Sequence, residues 1–247
     1  MLSETVLKIL TDAGIGSRRR MADAICQARV KLNGEVVEDF RHPVNREIDC
    51  LYIDGKLVDL GLKIVVYLML NKPAGTLSTA SDERRRRTVM HSLPEKYRRL
   101  RLYPVGRLDK DSTGLLLLTN DGEFTYQLTH PRFEHEKEYL IQVDGNLQPD
   151  EERKLREGIE LEDGRTSPAG VRRVESCPPF NYSIIIHEGR KRQVHRMLAA
   201  LGHRVLALKR IRIGGLRLGE LKEGDIRELS AGEIEMLSGY KPYYQSN

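Results

Sequence analysis

The sequence predicts an α+β protein in two parts. A small module of two helices and two hairpins spans about residues 1–60. A larger domain, about 63–240, is expected to be a mixed, largely antiparallel β-sheet with flanking helices, and residues 241–247 are a polar tail. Three observations carry this. Two stripes of apolar residues at helical spacing open the chain, two alternating runs broken by Asn-Gly or Asp-Gly follow, and a continuous apolar run at 64–70 starts a new buried strand. Hydrophobic residues make up 39% of the 247 and charged residues 31%, enough apolar surface for a core and too much for a disordered chain.

In the first module, Ser3 is expected to cap a helix whose apolar stripe is Val6, Leu7, Leu10 and Ala13, with Gly14 and Gly16 ending it. Ser17 caps a second helix that buries Met21, Ala24, Ile25 and Ala28. Arg18, Arg19 and Arg20 follow that cap directly, against the helix macrodipole, which favours acidic residues there. A helix N-terminus with three guanidinium groups suits phosphate. Residues 30–37 form a hairpin around Asn33-Gly34, and residues 51–58 repeat it around Asp54-Gly55. The linker to the larger domain falls at residues 59–63.

In the larger domain, residues 115–119 make a buried strand, Asn120-Asp121-Gly122 turns the chain, and 123–128 form a helix. Alternation along 138–143 puts Tyr139, Ile141 and Val143 on one face of a strand. Glu162-Asp163-Gly164-Arg165 fits a hairpin turn. Arg190 opens a helix with Val194, Met197, Leu198 and Leu201 as its buried stripe, ended by Gly202.

Several function classes are excluded. The longest apolar run, 64–70, is far short of the roughly 20 residues that cross a bilayer. Glu4, Lys8 and Asp12 interrupt the N-terminal apolar residues, so no signal peptide is read and a cytoplasmic location is expected. Cys26, Cys50 and Cys177 lie too far apart for a zinc site or a disulfide framework. His187, His195 and His203 have no carboxylate at ligand spacing, so no metal is expected.

Net charge is +5, unevenly distributed: residues 1–62 carry −1 and the remainder +6. Residues 82–101 hold eight basic and three acidic side chains, and residues 187–217 hold nine and one. The run Arg84, Arg85, Arg86, Arg87, the second cluster and Arg18 to Arg20 together favour a nucleic acid as partner.

Asp109 lies in a Gly-flanked loop at the mouth of a rigid strand, where reactive groups are commonly positioned. Arg107, two residues away, would keep that carboxylate anionic, which suits a nucleophile or base. By spacing alone, such a pair is structural or catalytic.

Motif content goes further. Ala13-Gly14, Ser17-Arg18-Arg19 and Val30-Lys31-Leu32-Asn33-Gly34 resemble the signature of the S4 RNA-binding domain, with Ala28 where that pattern has Gly. A positive φ there would strain an alanine. The resemblance implies RNA contact through Ser17, Arg18, Arg19, Arg20 and Lys31. Gly106-Arg107-Leu108-Asp109 followed by Ser112-Thr113-Gly114-Leu115-Leu116-Leu117 resembles the catalytic motif of pseudouridine synthases, in the wording of the RsuA/RluB branch. Leu70-Asn71-Lys72-Pro73-Ala74-Gly75, Lys137-Glu138-Tyr139 and Glu188-Gly189-Arg190-Lys191-Arg192-Gln193-Val194-His195-Arg196-Met197 agree, and an S4 domain ahead of the catalytic domain is that branch's arrangement.

The resemblance implies isomerisation of uridine to pseudouridine in ribosomal RNA, with Asp109 catalytic and no cofactor or metal. It further implies Tyr139 stacking on the uracil, Arg190 pairing with Asp109, and Arg107, Gln193 and Val194 near the substrate. Attack at uracil C6 and participation at ribose C1′ are both chemically open. The wording resembles large-subunit rRNA enzymes more closely than small-subunit ones. The expected partner is an rRNA stem-loop, free or in a pre-ribosomal particle, met by a monomer. A rival of another class is an S4-type assembly protein that binds RNA without modifying it.

Overall fold

The structure, a computed structural model, describes residues 4–61 and 64–238, and the chain divides between Val65 and Val66 into two units. Expectations for Ser3 and for the tail at 241–247 lie outside the described residues, as do 62 and 63 of the expected linker.

In the first unit, Thr5 is the N-cap of helix Val6–Asp12, its side chain accepting from the Lys8 N–H at 3.3 Å. Ser17 caps helix Arg18–Cys26 as expected, accepting from the Arg20 N–H at 3.1 Å. Val6, Leu7, Ile9 and Leu10 pack with Met21, Ala24 and Ile25 and with Val30, Leu32, Leu51 and Ile53 into one core. Ala28 is not part of it: the helix ends at Cys26, and Ala28 is exposed at φ +55. The strain expected of an alanine there is therefore present. Strands Val30–Leu32, Glu35–Val36, Leu51–Ile53 and Lys56–Leu57 form a four-stranded sheet of two hairpins, with Asn33 at φ +52 and Asp54 at φ +51 in their turns.

The second unit is built on nine strands. Along the main path the order is Gly170–Arg173, Tyr182–Ile186, Lys137–Val143, Val205–Ile213, Thr113–Thr119, Tyr67–Lys72, Ile226–Glu228. Leu216–Arg217 pairs with Val205–Ile213, and Tyr103–Val105 with Thr113–Thr119. Every pairing between these nine strands is antiparallel except one, between Val205–Ile213 and Thr113–Thr119. The expected mixed, largely antiparallel sheet is borne out. Tyr139, Ile141 and Val143 share one hydrophobic cluster with Val194, Met197 and Leu198, as alternation required.

Two local expectations are corrected. The strand placed at 64–70 begins at Tyr67, where its pairing with Thr113–Thr119 begins, and Ile64 is 70% exposed. Residues 162–165 do turn, with the Gly164 N–H donating to Leu161 at 3.0 Å, but no strands flank them.

The parallel pairing within the sheet joins two antiparallel halves, and it holds only two register pairs, Lys209 with Thr113 and Arg210 with Gly114. Gly114 has φ +100, and a Cβ there would stand 2.1 Å from the Arg210 carbonyl oxygen. No side chain fits. We expect Gly114→Ala to cost about 3 kcal/mol or more, combining a left-handed backbone with a steric clash. In thermal denaturation that is a fall of roughly 6–12 °C for a domain of this size.

Glu138 is buried in the same sheet, accepting from Arg172 at 2.8 Å, Ser183 at 2.9 Å and Arg212 at 2.8 Å. Burial alone would raise its pKa, but these three hydrogen bonds and the Arg212 charge outweigh it and hold the carboxyl at about 2. A carboxyl with a lowered folded pKa adds stability above its unfolded value, about 4.5, and loses it as pH falls through about 2. Glu138→Ala should destabilise the unit by about 3–5 kcal/mol at pH 7, since it strands Arg212 without its buried partner. The gap between variant and wild type should then narrow between pH 4.5 and 2 in acid-titrated unfolding.

Candidate active site

Asp109 sits half-buried in the loop that leads into strand Thr113–Thr119, and the backbone on both sides of it is pinned. Upstream, the Ser78 hydroxyl donates to the Leu108 carbonyl at 2.9 Å and accepts the Leu108 N–H at 3.1 Å. Downstream, the Lys72 ammonium donates to the carbonyls of Lys110 at 3.1 Å and Ser112 at 2.7 Å, with Pro73 as its third acceptor at 3.0 Å. The Gly75 N–H adds a bond to the Lys110 carbonyl at 2.9 Å. The Asp109 carboxylate, by contrast, makes no ion pair or hydrogen bond among the described residues. A fixed backbone thus carries an unspent carboxylate.

Lys72 is fully buried at the end of an apolar strand. Burial pushes its pKa down to about 8, against the opposing pull of Asp111, Asp109 and Glu223. His195 is drawn down by burial and by Arg192, and up by Asp109 and Asp111. Both cation-forming groups therefore feel the Asp109 charge. An open cleft of about 470 Å³ runs beside the loop, lined by Asp111, Ser112, Arg192 and His195 among others.

Register places four of these positions in one row across the sheet. Tyr139 pairs with Arg210, Arg210 with Gly114, and Gly114 with Lys72. The Arg210 guanidinium lies 6.0 Å from the centre of the Tyr139 ring, and its Nε donates to the Leu115 carbonyl at 2.7 Å. Its Nη2 is buried without a partner, as are Ser112 Oγ and His195 Nδ1. Buried polar atoms are nearly always satisfied, so three orphans around one loop mark polar capacity held for something else. Lys137, on the Tyr139 strand, is pushed down to about 8 by burial and by the Arg210 charge.

Arg107 is exposed, and among the described residues no ion pair joins it to the half-buried Asp109. Arg190 does not reach Asp109 either. It lies before the helix, which runs Gln193–Ala199 after Arg192 at φ +50. Its guanidinium donates to Glu188 at 3.1 Å and to the carbonyls of Gly164 at 2.7 Å and Arg165 at 2.6 Å, clamping the 162–165 turn. Gln193 completes that clamp, accepting from the Arg190 N–H at 3.0 Å and donating to Glu188 at 2.5 Å. Val194 is buried in the cluster that holds Tyr139. Tyr139 itself is 8% exposed.

The four arginines of 84–87 are all exposed. Arg86 is forked onto Asp82, with Nη2 to Oδ1 at 2.6 Å, so it is neutralised locally, unlike Arg84, Arg85 and Arg87. This loop is tied to the Asp109 loop, because Leu77 bridges to Thr88 and the adjacent Ser78 holds Leu108. In the first unit, Ser17, Arg18, Arg19, Arg20 and Lys31 are all exposed. Sequence reasoning passed over Lys72, Ser78, Arg210 and the polar role of His195. Two of them left a signal: Lys72 is a cation ending an apolar strand, and Arg210 alternates with Leu208 on an inward face.

A family model described as RNA pseudouridylate synthase matches residues 66–200. The chain is 41% identical over 243 residues to an uncharacterized RNA pseudouridine synthase of Aquifex aeolicus, covering 96% of this chain and 94% of that one. It is 41% identical over 240 residues to ribosomal large subunit pseudouridine synthase B of Bacillus subtilis, covering 95% of each. A crystal structure of a pseudouridylate synthase superposes with TM-score 0.68 at 34% identity, covering 95% of this chain and 100% of the other. With its catalytic-motif loop, its mixed sheet and these relatives in agreement, the chain belongs to the RNA pseudouridylate synthase family.

Proposed function

We infer that this enzyme isomerises a uridine of large-subunit ribosomal RNA, with Asp109 as its catalytic residue. The observation that carries the residue assignment is the pinned loop with its unspent carboxylate. The large-subunit assignment rests on the likeness to the Bacillus subtilis enzyme along 95% of the chain. In the reaction the N1–C1′ bond of the uridine breaks and a C5–C1′ bond forms; the C5 proton leaves to solvent and N1 gains one. Atoms and electrons balance without an external oxidant or reductant.

The roles of the other groups follow from their surroundings. Tyr139 offers a ring at the edge of a buried cluster, beside Arg210, where an extruded base can stack. The unpartnered Arg210 Nη2 and His195 Nδ1 are available to Asp109 or to the uracil as it detaches. Arg190 and Gln193 act through the 162–165 turn rather than on the substrate. The first unit is read as an S4-like module that grips an RNA stem-loop through Ser17, Arg18, Arg19, Arg20 and Lys31, and Arg84, Arg85 and Arg87 add phosphate contacts beside the catalytic loop. The enzyme works as a cytoplasmic monomer.

The test is release of tritium from 5-tritiated-uridine transcripts of large- and small-subunit rRNA. Wild type should release tritium from the large-subunit transcript, and Asp109→Asn, nearly the same shape, should reduce release to background while still binding. Release from the small-subunit transcript alone would overturn the subunit assignment; full activity in Asp109→Asn would overturn the residue assignment. Tyr139→Phe should stay active, whereas Tyr139→Ala should lose roughly 1–3 kcal/mol of base contact. Affinity for either transcript should fall steeply from low to high salt, and the triple change Arg84→Gln, Arg85→Gln, Arg87→Gln should flatten the slope of log affinity against log salt by about 2–3.

A further inference from the structure

An aromatic and cationic stripe outside the catalytic motif runs along helix Gly122–Thr129 and the 3-10 turn Pro131–Phe133. Tyr126 and Phe133 are each 38% exposed, an uncommon state for large aromatic side chains. Their rings meet edge to face at 5.9 Å, and His130 lies 4.8 Å from Tyr126. The Arg132 guanidinium stacks on both, 4.9 Å from the Tyr126 centroid and 4.5 Å from that of Phe133. His130 fixes the geometry, its ring nitrogen accepting the Arg132 N–H at 3.2 Å.

The stripe is continuous with the catalytic loop. Thr129, one turn beyond Tyr126, packs its methyl group against Gly106, where a Cβ would stand 3.4 Å away. Gly106 is three residues from Asp109, at most about 10 Å of extended chain. Arg107, exposed next to Gly106, and Arg132 flank the stripe with positive charge. Of the carboxylates nearby, Glu136 is paired with Arg212 at 2.9 Å, Glu123 accepts from Gln127 at 3.4 Å, and Glu134 is exposed next to Phe133.

We propose that Tyr126, Arg132 and Phe133 form a stacking platform for an RNA nucleotide next to the target uridine. The proposal deepens the rRNA reading above and rests on it. A nucleobase matches this surface in both respects: it has two π faces for the rings and a phosphate for the guanidinium. An apolar protein partner would leave Arg132 and Arg107 desolvated without counter-charge.

The test uses the 5-tritiated large-subunit transcript with wild type, Phe133→Leu, Tyr126→Leu and Phe133→Tyr. Leucine keeps apolar bulk but removes the π face, so folding is preserved and is checked by thermal denaturation. Phe133→Leu and Tyr126→Leu should each raise KM about 10-fold, the order expected for losing one base–aromatic stack, with kcat changed less than about 2-fold. Phe133→Tyr should restore the wild-type KM. A wild-type KM in both leucine variants overturns the platform while leaving the rRNA reading intact. A wild type that releases no tritium from rRNA overturns that reading and the platform with it.

Discussion

Contact between the backbones of Gly114 and Arg210 is the constraint from which the catalytic domain follows. Each half of the sheet is an antiparallel assembly that can satisfy its own hydrogen bonds, and the halves meet through two register pairs. The meeting point directly follows the Asp109 loop, so the loop belongs to the seam. Arg210 anchors across it through the Leu115 carbonyl, and Lys72 holds the loop's own carbonyls from the adjacent strand. A side chain at 114 would pry the halves apart at the place where the carboxylate is presented. Fold and site share one piece of backbone.

That arrangement buries positive charge. Lys72 and Arg210 are almost wholly inaccessible, and Lys137 is half-buried beside them. Because the folded pKa of Lys72, about 8, lies below its ordinary 10.5, the unfolded chain binds its proton more tightly between those values. The charged form present at neutral pH therefore weakens the fold. Three carbonyl acceptors offset part of that cost, and Asp109 and Asp111 offset more. A neutral residue would avoid it, but it could not donate to the three carbonyls that hold the loop. Glu138 shows the opposite balance in the same sheet: its two arginines and a serine more than compensate its burial, and that cluster serves stability.

Much of this was legible in the sequence, because the signals were local. Ser17, Asn33-Gly34 and Asp54-Gly55 act within a few residues, and the alternation of Tyr139, Ile141 and Val143 survives any tertiary context that buries one face. Asp109 was found through a contiguous motif. What failed was pairing at a distance. Arg190 was expected at Asp109, yet it lies ahead of its helix and is captured by Glu188 and three carbonyls of the 163–165 turn, a choice that depends on how a remote loop folds back. Arg210 is 101 residues from Asp109 in sequence and reaches the site only through strand order, which spacing does not encode. The cap of the first helix, Thr5, is equally local, a hydroxyl residue directly ahead of an apolar stripe.

Affinity and selection must come from different parts of such a surface. Arg84, Arg85 and Arg87 are exposed, and guanidinium groups of this kind see phosphates that are alike along any RNA. They can concentrate RNA at the loop, and they discriminate little. Discrimination requires groups that meet bases, which is costly unless the base leaves its stack. The protein has no Trp and only 6% aromatic residues, so each exposed ring carries weight. Tyr139 lies in the core beside Arg210, while Tyr126, on the helix that touches Gly106, and Phe133, on the 3-10 turn after it, are exposed. A target base drawn inward and a neighbour held outside is the division these two environments favour: the buried ring has little free area for a second base, and the exposed pair stands outside the cluster that holds Tyr139.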